Sequence, residues 1–229
     1  LDLAGFSPYY VSTGHLVYAA ADGSVRAAPF DVTSLALTGN PVPLVEGVMV
    51  KRSGAAAFSI SDDGRLVYAL GAGGGGSQVS LVWVDREGRE EPLPGLDPGG
   101  YESFRLSPDG NRLALDLERS RLWTYDLARG IRNPLTTESG VSDTNPVWMP
   151  DGNRIVFTRG NTLLLIAADG TGAAEELLTR DNASQLIPES WSPDGTKIAF
   201  SSSRHGWGEI YVMNSDGSAQ TRLTFNPSS

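Results

Sequence analysis

Five short turns ending in glycine recur along the 229-residue chain, and this repeat limits the possible folds more than any other feature. They read Ser12-Thr13-Gly14 (after Val11), Ser61-Asp62-Asp63-Gly64, Ser107-Pro108-Asp109-Gly110, Met149-Pro150-Asp151-Gly152 and Ser192-Pro193-Asp194-Gly195. Successive glycines lie 50, 46, 42 and 43 residues apart, the length of one propeller blade at roughly 40–50 residues. Each turn residue has a physical task. Proline presets φ, aspartate bonds backbone close by, and glycine takes the left-handed position. Apolar runs stand on both sides, as a hairpin requires: Ala57 to Ile60, Ser103 to Leu106 and Pro146 to Trp148 before the turns, then His15 to Ala19, Arg65 to Leu70, Arg112 to Leu117, Arg154 to Thr158 and Lys197 to Ser201 after them.

A second hairpin follows within each of the later repeats, at Arg86-Glu87-Gly88, Ala128-Arg129-Gly130, Ala168-Asp169-Gly170 and Ser215-Asp216-Gly217. The strand after it is short and polar: Glu90 to Leu93, Asn133 to Thr136, Glu176 to Thr179, Thr221 to Phe225. Four strands whose apolar load declines from first to last describe one blade. The predicted fold is therefore all-β, a β-propeller of four-stranded antiparallel blades. It forms one domain over residues 1–229, with blades at approximately 7–48, 49–95, 96–137, 138–180 and 181–229. The first repeat is the poorest copy. It carries Pro29-Phe30-Asp31 and Gly39-Asn40-Pro41 where the second hairpin belongs, which predicts a longer and looser outer pair of strands.

Composition agrees and narrows the function. With 27 Gly and 14 Pro, the chain suits many short strands. A net charge of −9 argues against nucleic acid as a partner. Without cysteine there is no disulfide, thiolate nucleophile or Cys-bound zinc. No apolar run reaches the roughly 18 residues of a membrane span, and no signal segment opens the chain. The start at Leu1 reads as a processed protein or a piece of a longer one.

Trp191-Ser192-Pro193-Asp194-Gly195-Thr196-Lys197-Ile198-Ala199-Phe200, then Ile210-Tyr211-Val212-Met213 and Arg222-Leu223-Thr224, resembles the repeat of TolB-type propellers, also met in tricorn and prolyl-oligopeptidase-type propellers. Gly14 to Tyr18, Ala28-Pro29-Phe30-Asp31, Leu37 to Pro43 and Leu81 to Arg89 are similar to propellers fused behind bacterial serine/threonine kinase domains. That likeness implies an extracytoplasmic or periplasmic sensor, with any kinase outside these residues. TolB-type propellers usually have six blades. Leu1-Asp2-Leu3 stands where the outer strand of a preceding blade would be, so the start reads as one blade short.

Catalytic chemistry has few candidates. His15 opens an inner strand and reads as structural, while His205 lies in the loop Ser203-Arg204-His205-Gly206-Trp207-Gly208. There is no Gly-x-Ser-x-Gly elbow. Gly71 to Ser77 lacks the ending of a phosphate loop and reads as a connector. The turn aspartates belong to their own turns, so neither a metal nor a cofactor is expected. Trp148 and Trp191 hold equivalent inner positions, as do Trp83 and Trp123 among themselves; Trp207 has no counterpart. Loop position and side-chain type nominate Tyr101, Glu102, Arg119, Arg159, Arg204, His205 and Trp207 as an axial-face binding set. The expected function is a non-catalytic module that binds a protein or small ligand, a sensor or scaffold within a larger bacterial protein. The alternatives are the substrate-gating propeller of a prolyl-oligopeptidase-like hydrolase and a propeller lyase or hydrolase.

Overall fold

The computed structural model describes residues 5–50, 56–62, 64–70, 78–85, 89–117, 120–180, 185–205 and 208–225, and every regular element among them is a β-strand. The first sheet holds β1 (Phe6–Val11), β2 (His15–Ala19), β3 (Val25–Asp31), β4 (Ala36–Leu37) and β5 (Val42–Val45). The second holds β6 (Phe58–Ile60), β7 (Leu66–Leu70), β8 (Ser80–Val84) and β9 (Glu90–Pro92). The third holds β10 (Tyr101–Leu106), β11 (Arg112–Leu117), β12 (Arg121–Asp126) and β13 (Ile131–Pro134). The fourth holds β14 (Asp143–Trp148), β15 (Arg154–Arg159), β16 (Thr162–Ala167) and β17 (Glu175–Thr179). The fifth holds β18 (Leu186–Trp191), β19 (Lys197–Ser202), β20 (Glu209–Asn214) and β21 (Thr221–Arg222). Each of the last four sheets is an antiparallel meander in chain order. The fold is an all-β propeller with five blades.

The first blade departs from the others, because β5 rather than β4 takes the outer place beside β3. The two residues of β4 form a small extra pairing on the end of β3. The unusual Pro29-to-Pro41 stretch is thus spent on an inserted turn before the outer strand returns.

The chain packs as two compact units. One is Leu1–Tyr101 with Asp109–Asn111 and Leu127–Gly130; the other is Glu102–Pro108, Arg112–Asp126 and Ile131–Ser229. In the first unit, Val17, Ala19, Val25 and Ala27 of the first blade pack with Phe58, Leu66, Tyr68 and Val82 of the second. In the second unit, Ile155 and Phe157 of β15 join Ala114, Leu122 and Leu135 of the third blade, while Val156 faces the other way, onto Ile198, Phe200 and Tyr211 of the fifth. Successive side chains leave a strand on opposite sides. An inner strand between two blades is therefore apolar at consecutive positions. Burying each large side chain stabilises by about 1.5–3 kcal/mol, and Phe58, Phe157 and Phe200 are essentially inaccessible.

The recurrent turns follow one plan. The glycine N–H donates to the carbonyl three residues back, at 3.0 Å for Gly64 to Ser61 and 2.8 Å for Gly195 to Ser192. Polar bonds then tie blade to blade at the turns. Ser12 Oγ donates to Asp62 O at 3.0 Å, Arg65 Nη1 to Gly110 O at 3.0 Å, and Arg112 Nη2 to Gly152 O at 2.6 Å. The glycine of the second hairpin is required for a further reason. A Cβ on Gly170 (φ +75) would lie 3.2 Å from Pro134 O of the preceding blade, and one on Gly217 would strike Leu177 O.

Candidate functional site

Turn aspartates are fully occupied by local bonds. Asp109 and Asp151 accept the N–H two residues on, at 3.1 and 2.8 Å. Asp194 accepts from Ser192 Oγ, Thr196 N and Thr196 Oγ1 at 2.6, 3.0 and 2.8 Å. These bonds, that from Ser192 above all, hold its carboxyl down at about 2. A carboxylate claimed by three donors is turn scaffolding. Among the described residues no three His, Asp or Glu side chains converge to hold a metal ion. His15 is likewise a turn residue, with Nδ1 3.0 Å from Thr13 O.

Five of the seven nominated residues lie among the described ones. Tyr101 is buried, and its hydroxyl donates to Asp97 O at 2.6 Å, fixing the connection into β10. Glu102 is half-buried on β10. Arg119 and Trp207 lie outside the described residues, as do Gly71 to Ser77 and Leu1 to Leu3.

Arg159, at the end of β15, makes a two-pronged ion pair with Asp143 at the start of β14: Nε to Oδ1 at 2.6 Å and Nη2 to Oδ2 at 2.9 Å. Its Nη1 bonds Glu138 as well. The hydrogen bonds to Asp143 raise the guanidinium further above its ordinary value, against the opposing effect of burial. Asp143 and Arg159 are direct cross-strand partners. A register shift between Thr144 and Val147 creates this pairing; regular counting outward from the Gly152 turn would set Thr144, not Asp143, opposite Arg159. Glu138 also lines a shallow depression of about 380 Å³ with Arg121, Trp123 and Val141.

Arg204 and His205 do come together. The Arg204 guanidinium lies over the Tyr211 ring, with Cζ 3.5 Å from its centroid. His205 Nδ1 bonds the Tyr211 hydroxyl, and its ring stacks on Tyr211 at 6.2 Å. Tyr211 itself is buried and stacks on Phe200 at 5.5 Å. Two residues absent from the nominated set complete the cluster. Gln220 Oε1 accepts from Arg204 Nη1 at 3.0 Å, and from Arg180 Nη2. Arg180 follows β17 and Gln220 precedes β21, so nothing in local sequence joins them to Arg204. Nearby, Glu209 is buried and bonds Arg222 Nη2 at 3.0 Å, together with Thr224.

On β18 of the fifth blade, Glu189 accepts from Ser201 Oγ of β19 at 2.9 Å. Desolvation pushes the Glu189 carboxyl up, while Ser201 and the charge of Arg105 pull it back down. The Arg204 cluster itself combines cations, an aromatic floor and one neutral acceptor.

No protein-family model matches the chain. It is 37% identical over 123 residues to a protein TolB homolog of Chlorobium luteolum, covering 51% of the chain and 27% of that protein. It is 42% identical over 109 residues to the Tol-Pal system protein TolB of Anaeromyxobacter dehalogenans, covering 46% of the chain and 24% of that protein. The matches thus take in about half of the chain and about a quarter of those relatives. Among solved structures, TolB from Acinetobacter baumannii superimposes with a TM-score of 0.71 at 18% identity, over 96% of this chain and 54% of that one. An oligogalacturonate lyase in complex with manganese gives 0.64 at 16% identity, over 98% and 65%. At such identities the superpositions establish the fold alone. The same architecture carries an enzyme in one case and a Tol-Pal protein's namesake in the other, so function has to come from the site. The repeat and the five blades make this chain an all-β propeller, and about half of it is similar in sequence to TolB proteins.

Proposed function

We propose that this propeller is a non-catalytic binding module that recognises a protein through the loop ends of its blades, as the sensor or scaffold part of a larger bacterial envelope protein. The observation that carries the reading is the Arg204–Tyr211–His205 cluster. A guanidinium and an imidazole are held on one buried tyrosine at a loop end, a combination of residue types that dominates binding hot spots. The naming of one relative as a Tol-Pal system protein supports a protein partner and an extracytoplasmic setting. A kinase domain in the same polypeptide remains part of this proposal, on the strength of the first-blade motifs. Isothermal titration of the chain with the Pal protein of Anaeromyxobacter dehalogenans tests it. Saturable binding that weakens about tenfold or more in Arg204→Ala, the worth of one charge-assisted bond, is expected. Absence of binding, together with turnover of oligogalacturonate in the presence of manganese, would overturn it.

A further inference from the structure

We propose that the Arg204 guanidinium is a receptor for a carboxylate group on the bound partner; this rests on the binding-module reading and names the chemistry of its contact. Cations at the ends of the fourth and fifth blades fall into two kinds. Arg159 faces Asp143 and Glu138, and Arg222 faces Glu209, so both are neutralised within the fold. Arg204 has no carboxylate among the described residues. Its Nη1 donates to a neutral amide oxygen of Gln220 at 3.0 Å, and its Nε is buried without an acceptor. The amide orientation is set independently, because Gln220 Nε2 donates to Gly217 O at 3.1 Å. The same oxygen accepts from Arg180, so two guanidinium groups converge on one uncharged acceptor.

The group is already ordered for binding. Tyr211 supports one face of the guanidinium at 3.5 Å, Phe200 lies further along at 6.0 Å, and Gln220 holds one nitrogen. Little side-chain freedom remains to be lost when an anion arrives. A guanidinium edge presents parallel donors matched to the two oxygens of a carboxylate. A half-buried guanidinium beside an aromatic ring suits a planar, singly charged group better than a tetrahedral phosphate, whose desolvation costs more.

The test is a side-chain NMR titration of the ¹⁵N-labelled chain with sodium succinate, at ionic strength held constant with sodium chloride. A saturable shift of the Arg204 Nε–Hε resonance and of the Tyr211 backbone amide is expected, the amide response weakened about tenfold or more in Arg204→Gln and both unchanged in Arg89→Gln. Gln220→Glu supplies an internal carboxylate at the same place, so it is expected to abolish the succinate response while raising the melting temperature. A linear response equal to that of chloride, a saturable response that survives Arg204→Gln or Gln220→Glu, or tighter binding of inorganic phosphate than of succinate would each sink the assignment. Pal binding that persists when succinate fails would leave the module reading standing and remove only this one.

Discussion

The ion pair between Asp143 and Arg159 offers the sharpest perturbation. Asp143 is completely buried, and Arg159 is 21% exposed, so water reaches only the arginine end. Arg159→Ala deletes the bonds at 2.6 and 2.9 Å and leaves a carboxylate inside the protein. Removing one member of a buried pair costs about 3–5 kcal/mol, and the open arginine end places this case near the lower figure, about 3 kcal/mol. That is a large share of the about 5–15 kcal/mol that separates folded from unfolded domains. Replacing both residues, Asp143→Val with Arg159→Met, removes the desolvated charge along with its partner and is expected to cost much less than the sum of the single changes. Equilibrium urea unfolding, read by fluorescence of Trp148 and Trp191 in the same compact unit, measures all the variants. A cost below about 1 kcal/mol for Arg159→Ala, the range of an exposed pair, would refute the reasoning. So would strict additivity of the two positions.

Asp194 sits at about 2, below its ordinary 3.8, so its bonded carboxylate contributes stability above about pH 4 that is lost as pH falls toward 2. Asp194→Asn is expected to flatten that part of an acid titration of the urea midpoint, and an unchanged acid limb would count against the turn-bond account. Trp148 Nε1 donates to Arg105 O of the third blade at 2.9 Å, with Arg112 over its ring at 4.7 Å. Trp148→Phe is expected to cost about 1–2 kcal/mol by removing that hydrogen bond, as read by urea unfolding; a neutral result would show that the indole acts by packing alone.

Most of the blade plan was legible in the chain because its signals are local. Gly110, Gly152 and Gly195 all have positive φ, and the flanking strands run within three residues of the apolar runs. Ile155-Val156-Phe157 is readable as a strand buried on both sides, since consecutive apolar positions need two cores. The candidate site was legible only in part. Arg204 and His205 stand out by loop position, yet Arg180 and Gln220 arrive from separate strands and carry no motif. Tyr101 shows the limit of residue type: an aromatic at a loop end can be an exposed contact or, as here, a buried anchor bonded to Asp97.

By itself, the sequence determined where the chain turns, how many strands each of the last four repeats holds and that the turn aspartates serve the turns. Those features depend on φ preferences and on bonds between residues two or three apart. The tertiary structure alone decided which charges are neutralised and which are offered. Arg159 and Arg204 look alike as loop-end arginines, but one is met by Asp143 across a hairpin and the other by Gln220 from a different strand. Whether a guanidinium is spent or available depends on groups brought to it through space, and the spacing of residues along the chain does not carry that information.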